Sequence, residues 1–431
     1  MAGVTARSGG AFVAFRNPNF KWHWFSTLAS FSAMQMQGIA LGILGWEMSH
    51  SYTVVGILQA AFALPMAILA LPGGALVDRM EKRRVIAFSQ ALLAILGVAT
   101  AALIQADLIT IVLLFAGGLV QGAMFSVNGP ARMALLTEMV RPAELSAAIS
   151  MQNIAMNSTR VIAPAIAGLF IAFVSIQGAY YLTAVLYVVC VAMILQVPRS
   201  FGHVDRPKAP LLSDIRAGVG YVARDRMLRS LMLSGLSVAL FIMPYQVMLP
   251  GFAGSLGHSE LLGPMVAVSG VGGLVGAFTV ASIGQHPRKP YLQFLFGLTA
   301  GAALIALGLL STRFGLPGAF VSLGVVGAAS MSYMTLNQTM LMTEAAAQFR
   351  GRVTSISMLT FSAMPLMALP LGVLADSIGG AGAFAVQGSI VLCVIIVLAF
   401  MNRAHTFARR TVTPPPAPSE VEVASPQESR V

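Results

Sequence analysis

An all-α polytopic membrane protein, with twelve transmembrane helices in two six-helix bundles and both termini cytoplasmic, is the fold class this sequence predicts. Three observations predict it. Of 431 residues, 57% are apolar and 10% charged, and the mean hydropathy is +0.81. A soluble domain carries roughly 25% charged residues, so this chain lacks the charge to cover a water-exposed surface and lipid must cover it instead. Apolar stretches of about 20 residues, enough to cross a bilayer core of about 30 Å as helix, recur along the chain. Finally, the second half echoes the first.

The spans fall at approximately 22–48, 53–77, 85–105, 107–129, 145–175, 177–197, 228–252, 261–284, 290–311, 314–336, 353–376 and 381–402. Residues 1–21 form a cytoplasmic N-terminus. They lack the short apolar core and small-residue cleavage site of a signal peptide, so the first span is expected to be an uncleaved anchor. Residues 22–197 make the first six-helix bundle and 228–402 the second. The linker 198–227 begins as loop (PRSFGHVDRPKAP), and SDIRAGVGYVARDRMLR then has helical periodicity with Ser213 as N-cap, as for an amphipathic helix lying on the membrane surface. The tail 403–431, rich in Pro, Ser and Glu, is expected to be disordered.

Basic residues sort by side. All Lys and Arg except Arg313 and Arg160 fall in gaps on one face, which the positive-inside rule makes cytoplasmic. The net charge of +11 is therefore topological, and nucleic acid is not an expected partner. Cys190 and Cys393 lie in apolar runs and read as buried filler. The six histidines show no ligand spacing, so no metal is expected. No P-loop or nucleophile constellation occurs, so no cofactor and no enzymatic activity are expected. GVGGLVG (270–276) lies inside a span and reads as close helix packing, and the sequon at Asn157 is out of reach within the membrane.

The half-chain repeat rests on several matches. TEMVRPAELSAAISM (137–151) resembles TEAAAQFRGRVTSISM (343–358) at an offset of 206 to 207; Pro164 and Pro370 are offset by 206, and YVVCV and IVLCV by 203. Two related bundles about a pseudo-twofold axis place a cavity between them near the midplane.

GALVDRMEKRRV (74–85), between the second and third spans, resembles the signature loop of the major facilitator superfamily, G-x-L-x-D-R-x-G-R-[KR]. Gly74, Leu76, Asp78, Arg79 and the basic run Lys82 to Arg84 match, with Glu81 where glycine is usual. GPARMALLTEMV (129–140), RGRVTSISML (350–359) and PLGVLAD (370–376) are similar to the enterobactin-exporter and macrolide-efflux branch, and the likeness spans about 15–402. The resemblance implies a gate at the cytoplasmic end of the second helix formed by Gly74, Asp78 and Arg79, with Arg132, Arg350 and Arg352 as neighbours. An acid there can pair with arginines and with helix N-termini of the opposite bundle. The second-half counterpart has Val280 where Asp78 aligns, so any such gate is asymmetric. APAIAG (163–168) resembles the fifth-helix motif of superfamily antiporters, with Pro164 expected to kink the helix.

Candidate substrate contacts are polar residues within spans. On the fifth helix Ser146, Ser150, Asn153, Asn157, Arg160, Pro164 and Gly168 follow one another at steps of three or four and trace one face. An intramembrane arginine costs several kcal/mol, and Arg160 either lines the cavity, binding an anionic or carbonyl-bearing substrate, or bridges helices. Gln37, Gln121, Tyr245 and Asn337 join Asn153, Asn157 and Arg160 as candidates for substrate binding, with helix-to-helix packing as the alternative for each. The superfamily resemblance favours proton antiport, yet no carboxylate falls clearly at the midplane. Glu47 and Asp78 are the candidates for proton coupling.

The function expected is secondary active export, by alternating access, of a small amphipathic or hydrophobic molecule (a drug, macrolide or siderophore-like compound). The chain is expected to act as a monomer in a bacterial inner membrane. The alternatives are an uptake permease for a small organic anion and a membrane receptor that has kept the fold and lost transport.

Overall fold

The structure is a computed structural model that describes residues 11–69, 80–141, 144–198, 219–257, 261–283, 288–346 and 364–401, with Gly73, Val77, His286, Phe349, Val353 and Ile356 between them. Among the described residues every regular element is helical. After a 3-10 turn at Ala11–Arg16 come α1 (Pro18–Ser49), α2 (Tyr52–Ile68), α3 (Lys82–Gln105), α4 (Ile111–Met139), α5 (Leu145–Phe173) and α6 (Ile176–Ile194). The second half holds α7 (Arg226–Phe241), α8 (Tyr245–Ser255), α9 (Leu262–Ile283), α10 (Lys289–Glu344) and α11 (Ala368–Met401). Eight helical stretches among the described residues, α7 and α8 counted as one, are long and apolar enough to cross a membrane.

Local chemistry sets the ends. Asn17, Ser51, Thr110, Ser175 and Asp225 each precede a helix and accept from backbone N–H groups of its first turn, which leaves fewer of those donors unpaired in a medium without water. α10 is two helices joined at Gly315 (φ 60°), and α11 two joined at Gly379 (φ 79°). Glycine suits these hinges because a left-handed φ carries no Cβ penalty there. Between α7 and α8 the break at Ile242–Met243–Pro244 follows from Pro244, which cannot donate to the carbonyl of Leu240.

Several boundaries differ from the sequence expectation. α4 continues to Met139, ten residues past the expected end, because Pro130 does not stop a helix whose neighbours pack around it. Arg132, expected in a loop, therefore lies inside the helix. The helix expected from Ser213 through Arg229 is interrupted: residues 219–224 are helical, and Asp225 then caps a new helix through Met227 N (2.8 Å) and Leu228 N (2.9 Å). Ser213 lies outside the described residues. The 219–224 turn docks on the second half, where Tyr221 stacks on Phe349 at 4.1 Å and accepts from the Ala346 N–H.

Within the first half α1 packs on α5 and α6, α2 on α4, and α3 on α4 and α6. Some of these pairs require glycine. A Cβ on Gly122 of α4 would stand 2.0 Å from the Phe62 carbonyl oxygen of α2, and one on Gly272 of α9 would stand 2.2 Å from the Gly324 carbonyl oxygen of α10. The glycines of GVGGLVG thus serve close helix packing. Gly122→Val should force α2 and α4 apart at a cost of about 1–3 kcal/mol or more. A melting temperature in detergent equal to that of the unchanged protein would refute the close approach.

The two halves meet through α2 against α11, α5 against α9, and α1 against α8. Under the half-chain repeat the first two pairs are equivalent, since α2 and α9 are each the second span of their half, and α5 and the first limb of α11 each the fifth. Close approaches gather at the end opposite the basic loops. Cβ atoms on Gly372 and Gly251 would stand 2.4 Å from the Tyr52 carbonyl and 2.3 Å from its ring, and one on Gly168 would stand 2.7 Å from the Gly263 carbonyl. Tyr52 and Trp46, ring centroids 4.8 Å apart, fill these notches.

Candidate functional site

Polar side chains inside an apolar helical protein are stabilised by finding partners, and in the first half two layers of them do so. Nearer the basic end, α4 carries Arg132, only 2% exposed. Its Nε donates to Asn128 Oδ1 one turn earlier (2.7 Å), and its Nη1 to Ser26 Oγ and Thr27 Oγ1 of α1 (3.1 Å each). Nη2 donates to Cys190 Sγ of α6 at 3.0 Å. Asn128 Nδ2 in turn donates to Ser89 Oγ of α3 (3.0 Å), and Gln152 Nε2 of α5 to Thr27 Oγ1 (3.0 Å). One guanidinium thus ties α1, α4 and α6 together, with α3 and α5 at second remove. Among the described residues Arg132 makes no ion pair. Its fork of donors is satisfied by neutral acceptors, which lysine's compact ammonium could not reach together. Cys190, expected as apolar filler, is part of this polar cluster and lies 3.2 Å from Ser26 Oγ. The indole of Trp24 adds a bond to the Met151 carbonyl (2.8 Å), joining α1 to α5.

One layer further from the basic end, Gln37 Oε1 accepts from Gln121 Nε2 and from Tyr187 Oη, each at 3.1 Å. Gln37 and Gln121 are 5% and 4% exposed. The structure therefore brings two sequence candidates together, but spends their polar groups on one another across α1, α4 and α6. In the second half Asn337 of α10 accepts from Gln293 Nε2 (2.6 Å), and Tyr245 at the start of α8 pairs with Ser269 of α9. Gln387 Nε2 reaches the Met248 sulfur at 3.0 Å. Gln37, Gln121, Tyr245 and Asn337 thus sit inside their own bundles, bonded to bundle neighbours.

The remaining candidates are distributed differently. Asn153 is half-buried on α5. α5 runs unbroken through Pro164, which is buried and, having no N–H, leaves the carbonyl of Arg160 without its usual donor. Arg160 and Asn157 lie on α5, but their side chains are outside the description, as are Gly74, Asp78, Arg79, Arg350 and Arg352 altogether. Glu47 is exposed on the last turns of α1, near the end opposite the basic loops. At the basic end Lys82 pairs with Glu138 (3.5 Å), Arg84 with Glu81 (2.6 Å), and Arg141 with Glu144. Among the described residues no group of three or more His, Cys, Asp and Glu side chains could hold a metal.

Sequence reasoning missed two features. Ser26, Thr27 and Cys190 had no signal of their own, because a hydroxyl or thiol in a span reads as ordinary until an arginine is placed among them. Asp376 lay in a quoted motif, but its partners are more than 320 residues away. Its Oδ1 accepts from Tyr52 N (2.8 Å), and its Oδ2 from Ser51 Oγ (2.8 Å) and Thr53 N (2.9 Å).

Comparisons agree with this architecture. The family model described as transmembrane secretion effector matches residues 9–424. The chain is 24% identical to the staphyloferrin A transporter of Staphylococcus aureus, over 82% of this chain and 89% of that one. It is 28% identical to the multidrug efflux pump Tap of Mycobacterium tuberculosis (89% and 94%) and 26% to the enterobactin exporter EntS of Shigella boydii (79% and 81%). Among solved structures, a bacterial homologue of the lysosomal transporter Spinster, in an inward-facing and unoccupied conformation, superposes with a TM-score of 0.66 at 15% identity, covering 91% of this chain and 96% of that one. With a family match over nearly its whole length and this fold, the chain belongs to the transmembrane secretion effector family of major facilitator superfamily transporters.

Proposed function

We propose that this protein is a secondary active exporter that carries a small amphipathic or hydrophobic molecule, of drug or siderophore-like character, out across a bacterial inner membrane by alternating access. On this reading the chain crosses the membrane twelve times, and the hinges at Gly315 and Gly379, each joining two helical limbs, support that count. The basic loops face the cytoplasm.

The observation that carries this reading is the meeting of the halves at the end opposite those loops. Tyr52 is seated in glycine notches there, and Asp376 holds the start of α2. A rocking transporter must shut one end while the other admits substrate, and this arrangement fits the state open to the cytoplasm, in which an exporter loads. The efflux and siderophore-export names of relatives support the direction and the substrate class. Arg160 and its neighbours Asn153 and Asn157, on one face of α5, are the proposed substrate contacts. Asp78 with Arg79, Gly74, Arg350 and Arg352 forms the proposed cytoplasmic gate. Arg132 stands behind that gate as the residue that keeps the first bundle rigid.

Coupling to protons is part of the proposal, with Glu47 and Asp78 as the carboxylates that would serve it. The test uses inside-out vesicles energised with a proton gradient, acid inside, with a fluorescent amphipathic dye added to the bath. Dissipating the gradient should stop dye movement; movement that continues unchanged would remove the coupling.

A further inference from the structure

We propose that Asp376 is the latch of the outward gate, a residue that selects between conformations by capping a helix of the opposite bundle. The inference rests on the reading of this chain as an alternating-access transporter, and adds to it the residue that holds one of its two states. A carboxylate usually caps the helix that follows it in sequence. Asp376 instead belongs to the first limb of α11 and caps α2, in the other half of the molecule. Its two oxygens take the N–H groups of Tyr52 and Thr53 at 2.8 and 2.9 Å and the hydroxyl of Ser51 at 2.8 Å. Those amides belong to the first turn of α2, where the helix dipole presents its positive end. Ser51 is therefore shared: its Oγ accepts from Val54 N as the N-cap of α2 while its hydroxyl hydrogen goes to Asp376.

Three things make this contact a latch. It joins the two bundles directly, so rocking them apart at this end must break all of its bonds at once. The packing around it is already at closest approach: Gly372, one turn before Asp376, lies against the Tyr52 carbonyl, and Gly380 lies against the Tyr52 hydroxyl. Asp376 is itself exposed, so on release both the carboxylate and the freed N–H groups gain water and opening costs no buried unpaired charge. A bond with these properties biases an equilibrium without locking it.

The experiment reads conformation and needs no substrate. The full-length chain carries Cys393→Ser and a reporter, Ile43→Cys. Ile43 is 3% exposed and packs in a core made otherwise almost wholly of second-half residues. In right-side-out membrane vesicles, modification of this reporter by a membrane-impermeant maleimide measures how often the outer end opens. Cys190, buried in the first bundle, is probed separately with a membrane-permeant maleimide, in the chain without the reporter, as the control for unfolding.

Asp376→Asn replaces two acceptor oxygens with one and turns an NH2 group toward the α2 donors. It should speed modification about tenfold or more, as expected when charge-assisted bonds are lost, while Cys190 stays unreactive. Ser51→Ala removes one of the three bonds and should give a smaller rise. Equal rates in Asp376→Asn and the parent would overturn the latch. Should Cys190 react in Asp376→Asn, Ser51→Ala decides the matter: a faster reporter with silent Cys190 supports the latch, and an unchanged one overturns it. A chain that shows the rate difference yet moves no dye keeps the latch and loses the export reading. A chain that exports dye with equal rates loses the latch alone.

Discussion

Arg132→Ala is expected to destabilise the first bundle by about 3 kcal/mol or more, because each buried acceptor left without a donor costs about 1–3 kcal/mol. Three bonds from a charged donor, each worth about 1.5–3 kcal/mol, would be lost: Asn128 Oδ1 would keep no donor, Ser26 Oγ would keep only Cys190 and Thr27 Oγ1 only Gln152, all buried. Domain stabilities run to about 5–15 kcal/mol, so the loss should appear as low yield and a clearly reduced melting temperature. Labelling of Cys190 gives a local reading, since its sulfur is covered by the same guanidinium. Arg132→Lys should recover only part of the loss, because an ammonium cannot hold three helices through one planar fork. A normal melting temperature with a silent Cys190 in Arg132→Ala would show that the cluster holds nothing together.

Arg160→Ala is expected to act in the opposite manner, with normal yield and transport reduced about tenfold or more, the scale of losing one charged hydrogen bond to substrate. The expectation comes from position. Arg160 shares one α5 face with Asn153 and Asn157, just before Pro164 removes a backbone donor from the same stretch. A guanidinium retained inside a membrane protein is costly. If yield and melting temperature fall together with transport, Arg160 bridges helices and the substrate contact must be sought elsewhere on α5.

The contrast between the two arginines indicates what the sequence could and could not tell. Periodicity placed most span limits within a few residues: α5 was expected at 145–175 and runs over Leu145–Phe173. α9 was expected at 261–284 and runs over Leu262–Ile283. A long apolar run bounded by polar residues is a local signal, so it survives reading without a structure. The failures lie where local and tertiary signals diverge. Pro130 and Arg132 together look like the end of a helix, and only packing by α1, α3 and α6 carries α4 past them. Gln37 and Gln121 were candidates for substrate binding or for helix packing, and the hydroxyl of Tyr187 that joins them comes from a helix too far along the chain to show in spacing. Whether Pro244 bends a helix or divides it depends on which carbonyls find donors, which the sequence does not show. Asp376 closes the quoted PLGVLAD stretch without standing out in it, because a cap reaching across more than 320 residues leaves no spacing to detect.

The measurement that bears most directly on the central claim is accumulation of a fluorescent amphipathic dye in cells expressing the protein, against matched cells lacking it. Export predicts lower steady-state dye in the expressing cells, and a return to the control level when the proton gradient is collapsed. Higher dye in the expressing cells would contradict the account: it would make the chain an uptake system and the state shut at Asp376 its releasing state.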